Sequence, residues 1–422
     1  MIQKRKITET NTSAISRMLF LIFLFSLTFT DLPTKETALG FFGESLANFI
    51  LVPVFIACLF DSLFSGKIKI NISRMYILPI AYMAIFSFLI LLVVGNMGDW
   101  AYGTYKCFSN TILMTLLFFS FYYFDKNIEL IKKYAWVGYF VVILGAIICD
   151  GLGITLYGIV HTPVSNLLEY NRLRGFCSEA SAFAANCIVF GFIAAYYAKN
   201  KILRYVYIIS MVGITLASGS KGGVIILVVA LAVYYLIASE KNALFKIVLA
   251  VISIVIGVFV IITFVADAFL NDLEQFSSFA TRASSVVLVP ILLQYYPFGT
   301  GFGLFVQAFQ EHALDAFDLL NEVIPVYNLS HLEIVAEVNT GKAASIKNAV
   351  GQLIAYFGIP CIMYMLYKAK NMINIVRAKR DAMISYFCIV IIFGICTAFS
   401  LSYTVILALV VITSRSDIVT RQ

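Results

Sequence analysis

Residues 172–186 read RLRGFCSEASAFAAN, two arginines and a glutamate set directly against a run that stays apolar to about residue 198. A spanning helix takes roughly 20 predominantly apolar residues, and 180–198 has that length and character. The stretch predicts a membrane helix that starts beside cations. What those cations do depends on which side of the membrane they occupy.

Working outward, further apolar runs lie near 14–32, 42–63, 76–95, 105–124, 134–152, 202–217, 222–238, 243–267, 349–367, 383–398 and 400–414, the last two short enough to be one long helix. With 61% hydrophobic and 13% charged residues over 422 positions, the chain has too little polar surface to cover a soluble globule. It reads as an all-α polytopic membrane protein of about 12 transmembrane helices, a single membrane domain over 1–422. The first run follows Lys4, Arg5 and Lys6 like a signal peptide, but it lacks a small-x-small cleavage site and many more runs follow it. It is expected to remain as the first helix. The eight cysteines lie mostly in apolar runs, without a CxxC pair or a Cys/His cluster at metal-ligand spacing, so neither a disulfide framework nor a metal site is expected. The net charge of +7 has no basic stripe interleaved with aromatics behind it, and nucleic acid is not expected as a partner.

The charge has a topological explanation. With cytoplasmic ends, 22 of the 30 basic residues fall in inner loops, and every second loop is basic, as the positive-inside rule requires. All three histidines and 16 of the 23 acidic residues then fall outside. Two outer loops are long, 153–179 and 268–348, and a connection of about 80 residues far exceeds the usual handful and points to function. Inside it Phe305, Phe309, Ala313, Phe317 and Leu320 recur at helical spacing, with Glu311, Asp315, Asp318 and Glu322 off that stripe. This predicts an amphipathic helix lying on the membrane or capping a cavity. The neighbouring VVLVPILLQYYPFGTGFGLF, interrupted by prolines and glycines, reads as a re-entrant or surface segment.

Arg172 and Arg174 break the charge rule, as do Lys221 in ASGSKGG, Arg282 in FATRASS, and Lys347 just before the run at 349. Cations at membrane depth are costly, so clustered ones face an aqueous cavity or an anionic ligand. Guanidinium forks suit phosphate because they form bidentate, charge-assisted hydrogen bonds, and a helix N-terminus adds free N–H groups and a positive dipole end. The expectation is a site for a lipid-linked diphosphate. Arg174 and Arg282 are its main ligands, and Arg172, Lys221 and Lys347 support them.

The order RGFCSEASAFA, SGSKGG, TR before GTGFG, and KNAVGQLIAYFGIPC resembles the Wzy-type O-antigen polymerases and, more distantly, the O-antigen ligases. Lys347 stands where ligase-like members often carry histidine. The resemblance implies a metal-independent, cofactor-free, GT-C-like glycosyltransferase in a bacterial inner membrane. Its partners would be undecaprenyl-diphosphate-linked oligosaccharide, membrane lipids, a chain-length regulator and a flippase. An acceptor hydroxyl would attack the anomeric carbon of a lipid-linked polymer and the lipid diphosphate would leave, with Arg174 and Arg282 stabilising its charge. The hydroxyl needs a base. Glu179, beside Arg174 in the motif, is the first candidate, and His312 and His331 are the others. Transfer of finished polymer to lipid A core is the neighbouring alternative. A flippase or secondary transporter is the alternative of another class, although transporters usually show internal repetition and mid-membrane charges.

Overall fold

The computed structural model describes residues 14–30, 32–36, 43–64, 74–94, 100–154, 160–161, 172–238, 251, 278–323, 335, 338–339, 344–377 and 381–413, and the structural statements below concern these. They are mostly helical, with an isolated bridge between Thr30 and Ser45. In chain order the helices are α1 Ala14–Ser26, α2 Leu46–Phe64, α3 Arg74–Val94, α4 Trp100–Lys126, α5 Ile128–Gly145 continued by a π-turn Ala146–Gly151, α6 Ala180–Tyr197, α7 Lys201–Ala217 and α8 Lys221–Ala238. They continue as α9 Ser278–Tyr295, α10 Gly301–Val323, α11 Ala349–Arg377, α12 Ala382–Thr397 and α13 Tyr403–Thr413. Nearly all the run at 243–267 lies outside the described residues.

Four of these stretches are long and apolar enough to cross a membrane: Ala101–Lys126, Ile128–Gly151, Ala180–Tyr197 and Ala349–Lys370. Apolar helices of 10–17 residues accompany them, among them Arg282–Tyr295, Ala382–Thr397 and Tyr403–Thr413. Residues such as Ile85, Leu89, Ile202, Ile209, Met363 and Leu366 point outward and exposed, an apolar exterior that suits hydrocarbon and not water.

Helix α6, which the opening motif begins, sits at the centre. Its spanning window is 78% buried, against 28% for that of α11. Alanine and glycine make this close approach possible, since small residues let membrane helices meet backbone to backbone. A Cβ on Gly138 of α5 would meet the Phe190 ring at 2.4 Å, and one on Gly191 would meet Met211 of α7 at 2.7 Å. Around α6 pack α5, α7, α8, α12 and α13. The first helix is part of this core: Phe20, Phe23, Leu24 and Leu27 are fully buried, and Phe23 stacks on Phe124 and meets Tyr403 edge-on.

The amphipathic helix expected inside 268–348 is α10, and its predicted stripe of Phe305, Phe309, Ala313, Phe317 and Leu320 is buried, with Glu311, Asp315, Asp318 and Glu322 exposed. The stripe meets protein, however, in place of a membrane surface, because α10 packs on α3, α4, α9 and α11. Close glycine contacts bring it there. A Cβ on Gly303 would lie 2.8 Å from Cys107 Sγ of α4, and one on Gly301 would lie 2.8 Å from the Ser87 Cα of α3.

Candidate functional site

One end of the bundle carries the C-terminal ends of α5, α7 and α12 and the N-terminal ends of α6, α8, α9 and α11. The tight turn Ser218–Ser220 joins α7 to α8 there, and Gly219 takes φ +62°, a conformation that favours glycine. Arg172 reaches this turn and its Nη2 donates to the Gly219 carbonyl at 3.1 Å. On the other flank, a Cβ on Gly222 would lie 3.6 Å from Arg282 Nη1 and 3.3 Å from Ala398. Two guanidiniums from distant parts of the chain therefore flank the Ser218–Ser220 turn and the start of α8, and Lys221 lies between them in sequence as the first residue of α8.

Lys347 joins them through Ser285. The Lys347 amide donates to Ser285 Oγ at 3.5 Å, and that hydroxyl donates to the Arg282 carbonyl at 2.8 Å. The segment is fixed because Asn348 Oδ1 accepts the Gly351 amide at 2.6 Å, Gln352 Oε1 accepts the Ile346 amide at 2.6 Å, and the Ala349 amide donates to Phe399 of the α12–α13 connection at 3.0 Å. Arg172, Lys221, Arg282 and Lys347 thus gather where helices α8, α9 and α11 present their N-termini. The positive dipole ends of these helices add to the side-chain charge, so the arrangement suits an anion with several oxygens.

Glu179 stands at the start of α6 with extended backbone, φ −117° and ψ 143°, and leaves the helix amides uncapped. Its exposed carboxylate accepts from Ser181 Oγ at 2.9 Å, which leaves lone pairs open to a substrate hydroxyl.

Arg174 is placed differently from the other arginines. It is 8% exposed, with its amide and that of Gly175 donating to Asp150 Oδ2 at 3.0 and 2.8 Å. Gly175 has φ +53°, and two successive amides in such a turn make a concavity that takes an anion, here the carboxylate that ends α5. His161, 1% exposed, donates from Nε2 to the Gly175 carbonyl at 2.9 Å. Burial holds its imidazole below the usual 6.5, and Arg174 pushes in the same direction. Sequence reasoning missed both Asp150 and His161. Asp150 reads as the tail of a span and His161 as one outer histidine among three. The one signal in the sequence was a carboxylate at the helix end facing an Arg-Gly turn.

The remaining candidates lie apart from the cationic end. His312 on α10 stacks on Tyr295, centroids 4.3 Å apart and 14° between planes, and its Nδ1 lies 3.4 Å from Asp315 Oδ2. Tyr295 ends α9 and Arg282 lies near its start. At 1.5 Å per helical residue, His312 is on the order of 20 Å along that helix from Arg282. His331 lies outside the described residues.

No family model matches the chain, and no solved structure matches it. A relative from Klebsiella pneumoniae, "Uncharacterized 49.5 kDa protein in cps region", is 22% identical over 235 residues, which are 54% of this chain and 54% of the relative. The chain therefore spans about half the length of that relative.

Proposed function

We propose that the chain is a surface-polysaccharide polymerase, a membrane glycosyltransferase that joins lipid-diphosphate-linked oligosaccharide units at the outer face of a bacterial inner membrane. The observation that carries the reading is the meeting of Arg172, Lys221, Arg282 and Lys347 around the Gly219–Gly222 turn. Cations drawn from four segments of an apolar chain build a positive field at one end of the bundle that attracts anions, and a lipid diphosphate is an anion that arrives from the bilayer. A relative from a cps region supports a role in polysaccharide synthesis.

In this reading Arg282 and Arg172 grip the diphosphate of the donor from either side of the glycine turn, with Lys221 and Lys347 adding positive charge. An acceptor hydroxyl attacks the anomeric carbon, the bond from that carbon to the diphosphate oxygen breaks, and Glu179 takes the hydroxyl proton. The guanidiniums stabilise charge that grows on the leaving diphosphate, which is where preorganised donors contribute most to rate. The side of the membrane follows from the positive-inside bias of the loops. About 12 spans and a GT-C-like arrangement belong to the same proposal. The test is deletion of the gene followed by gel analysis of surface polysaccharide. Chains of a single repeat unit are the expected result, and complete loss of attached units would indicate ligation of finished polymer in place of polymerisation.

A further inference from the structure

We propose that His161 is a positioning residue for Arg174, presenting a bare Nδ1 that accepts from the buried guanidinium, so that Arg174 is held while the imidazole is neutral. Arg174 bears on the site by fixing the turn that follows Arg172, and that link rests on the proposed function, but the pairing itself does not.

The tautomer follows from one contact. A backbone carbonyl can only accept, so the 2.9 Å approach of His161 Nε2 to the Gly175 oxygen places the proton on Nε2. In a neutral ring Nδ1 then carries a lone pair. That Nδ1 is buried and has no hydrogen-bond partner among the described residues, and the same is true of Arg174 Nε. One is an acceptor without a donor, the other a donor without an acceptor. His161 bonds to the carbonyl of Gly175, the residue that follows Arg174, which makes the two side chains neighbours, and the guanidinium acts on the imidazole. Buried polar groups are paired in folded proteins, directly or through a water, and these two satisfy one another.

The surroundings fix the backbone that carries Arg174 and the carbonyl that His161 holds. Asp150 Oδ2 takes the amides of Arg174 and Gly175, which ties their turn to the end of α5. Gly175 cannot be replaced freely, since a Cβ there would lie 2.7 Å from the Phe183 ring. The charged groups acting on His161 are Asp150 from the α5 side, which with the Gly175 hydrogen bond favours its protonation, and Arg174 from the turn, which opposes it; burial acts with Arg174 and the two together prevail. A protonated His161 has donors at both nitrogens and nothing to offer a guanidinium. Acidification therefore releases Arg174 and sets two cations against each other.

The chain has three histidines, which makes imidazole NMR practical on full-length protein in lipid nanodiscs with ¹⁵N-labelled histidine. The His161 signals are identified by their loss in His161→Asn. The expected spectrum at neutral pH shows a proton on Nε2 and an Nδ1 shifted from its free lone-pair position by an accepted hydrogen bond. In Arg174→Lys, which keeps the charge but lacks Nε–H, the Nδ1 signal is expected to move back toward the free value. A proton on Nδ1 in the wild-type chain overturns the proposal without any variant having to fold, and so does an Nδ1 signal unmoved by Arg174→Lys in a folded variant. The second readout is polymer formation against pH. His161→Asn, a neutral acceptor that cannot titrate, is expected to flatten the acid-side loss, and an unchanged acid limb contradicts the role. Wild-type protein with the expected tautomer and no polymerase activity sinks the proposed function while leaving the pairing intact. An active enzyme with Nδ1 protonated does the reverse.

Discussion

Gly299 and Gly358 cross backbone to backbone. A Cβ on Gly299 would lie 2.3 Å from the Tyr356 oxygen, and one on Gly358 would lie 2.2 Å from the Pro297 oxygen. Both residues have positive φ, +92° and +56°. The crossing breaks α11 and repairs it with another segment. The Ile359 amide donates to the Pro297 carbonyl at 2.9 Å, and the Ala355 carbonyl accepts the Thr300 amide at 2.9 Å and the Thr300 hydroxyl at 3.1 Å. Hydrogen bonds lost from the helix are thus made by the turn between α9 and α10, which fixes α9, and with it Arg282, against α11.

Gly299→Ala and Gly358→Ala are therefore expected to destabilise strongly. Left-handed backbone alone costs a non-glycine residue about 1–3 kcal/mol, and here the added methyl also meets backbone that cannot move aside. Thermal melting of the detergent-solubilised protein checks this, and Gly213→Ala is the control because a Cβ there has nothing within 4 Å. Melting temperatures for the two variants equal to that of the control contradict the crossing.

Arg282→Lys keeps the charge beside the Gly222 turn but loses the fork that can hold two diphosphate oxygens at once. Polymer synthesis is expected to fall by about 10²- to 10³-fold, the scale seen when one preorganised donor is removed, with protein levels near normal. Arg172→Lys is expected to behave likewise and in addition to loosen the Gly219 turn, whose carbonyl accepts from Nη2. Full-length polymer from Arg282→Lys shows that bidentate recognition there is unnecessary.

Glu179→Gln separates a base from a scaffold. The amide oxygen can still accept from Ser181, but it cannot take a proton from an acceptor hydroxyl. Binding of lipid-linked substrate is expected to stay within a few fold while turnover drops about 10²-fold or more. Wild-type turnover in Glu179→Gln combined with loss in His312→Ala or His331→Ala moves the base to the 268–348 segment.

Stability is expected to decline on mild acidification. The folded state holds the His161 imidazole below its usual 6.5, chiefly by burial, so between those two values the unfolded chain binds the extra proton. Folding stability is then fully present above about pH 6.5 and is lost as pH falls toward the folded-state value. Melting temperature measured from pH 7.5 down to 5 reads this slope. In His161→Asn the slope is expected to be shallower, and an identical slope assigns the acid sensitivity to other groups.

The sequence made some of this legible and hid the rest for physical reasons. Spans such as 105–124 and 134–152 were readable because a bilayer demands long apolar runs, and the stripe from Phe305 to Leu320 was readable because burial on one helical face imposes its period. Periodicity cannot distinguish lipid from protein as the partner of that stripe, so the packing of α10 on α3 and α4 had to come from the structure. Arg172, Arg174, Lys221, Arg282 and Lys347 were singled out by their shared breach of the charge rule, and the structure brings the segments of four of them to one end of the bundle. The separate position of Arg174 was not anticipated, because it depends on a turn set by Asp150, 24 residues earlier in the chain. The expectation that His331 shares the site lies outside the described residues.

The most direct measurement places the purified chain in vesicles with one lipid-diphosphate-linked oligosaccharide and no other protein. The account predicts a ladder of glycans that lengthens by whole repeat units, releases one lipid diphosphate per bond formed, and disappears with Arg282→Lys. Transbilayer movement of intact lipid-linked oligosaccharide with no new glycosidic bond would contradict it and identify a transporter.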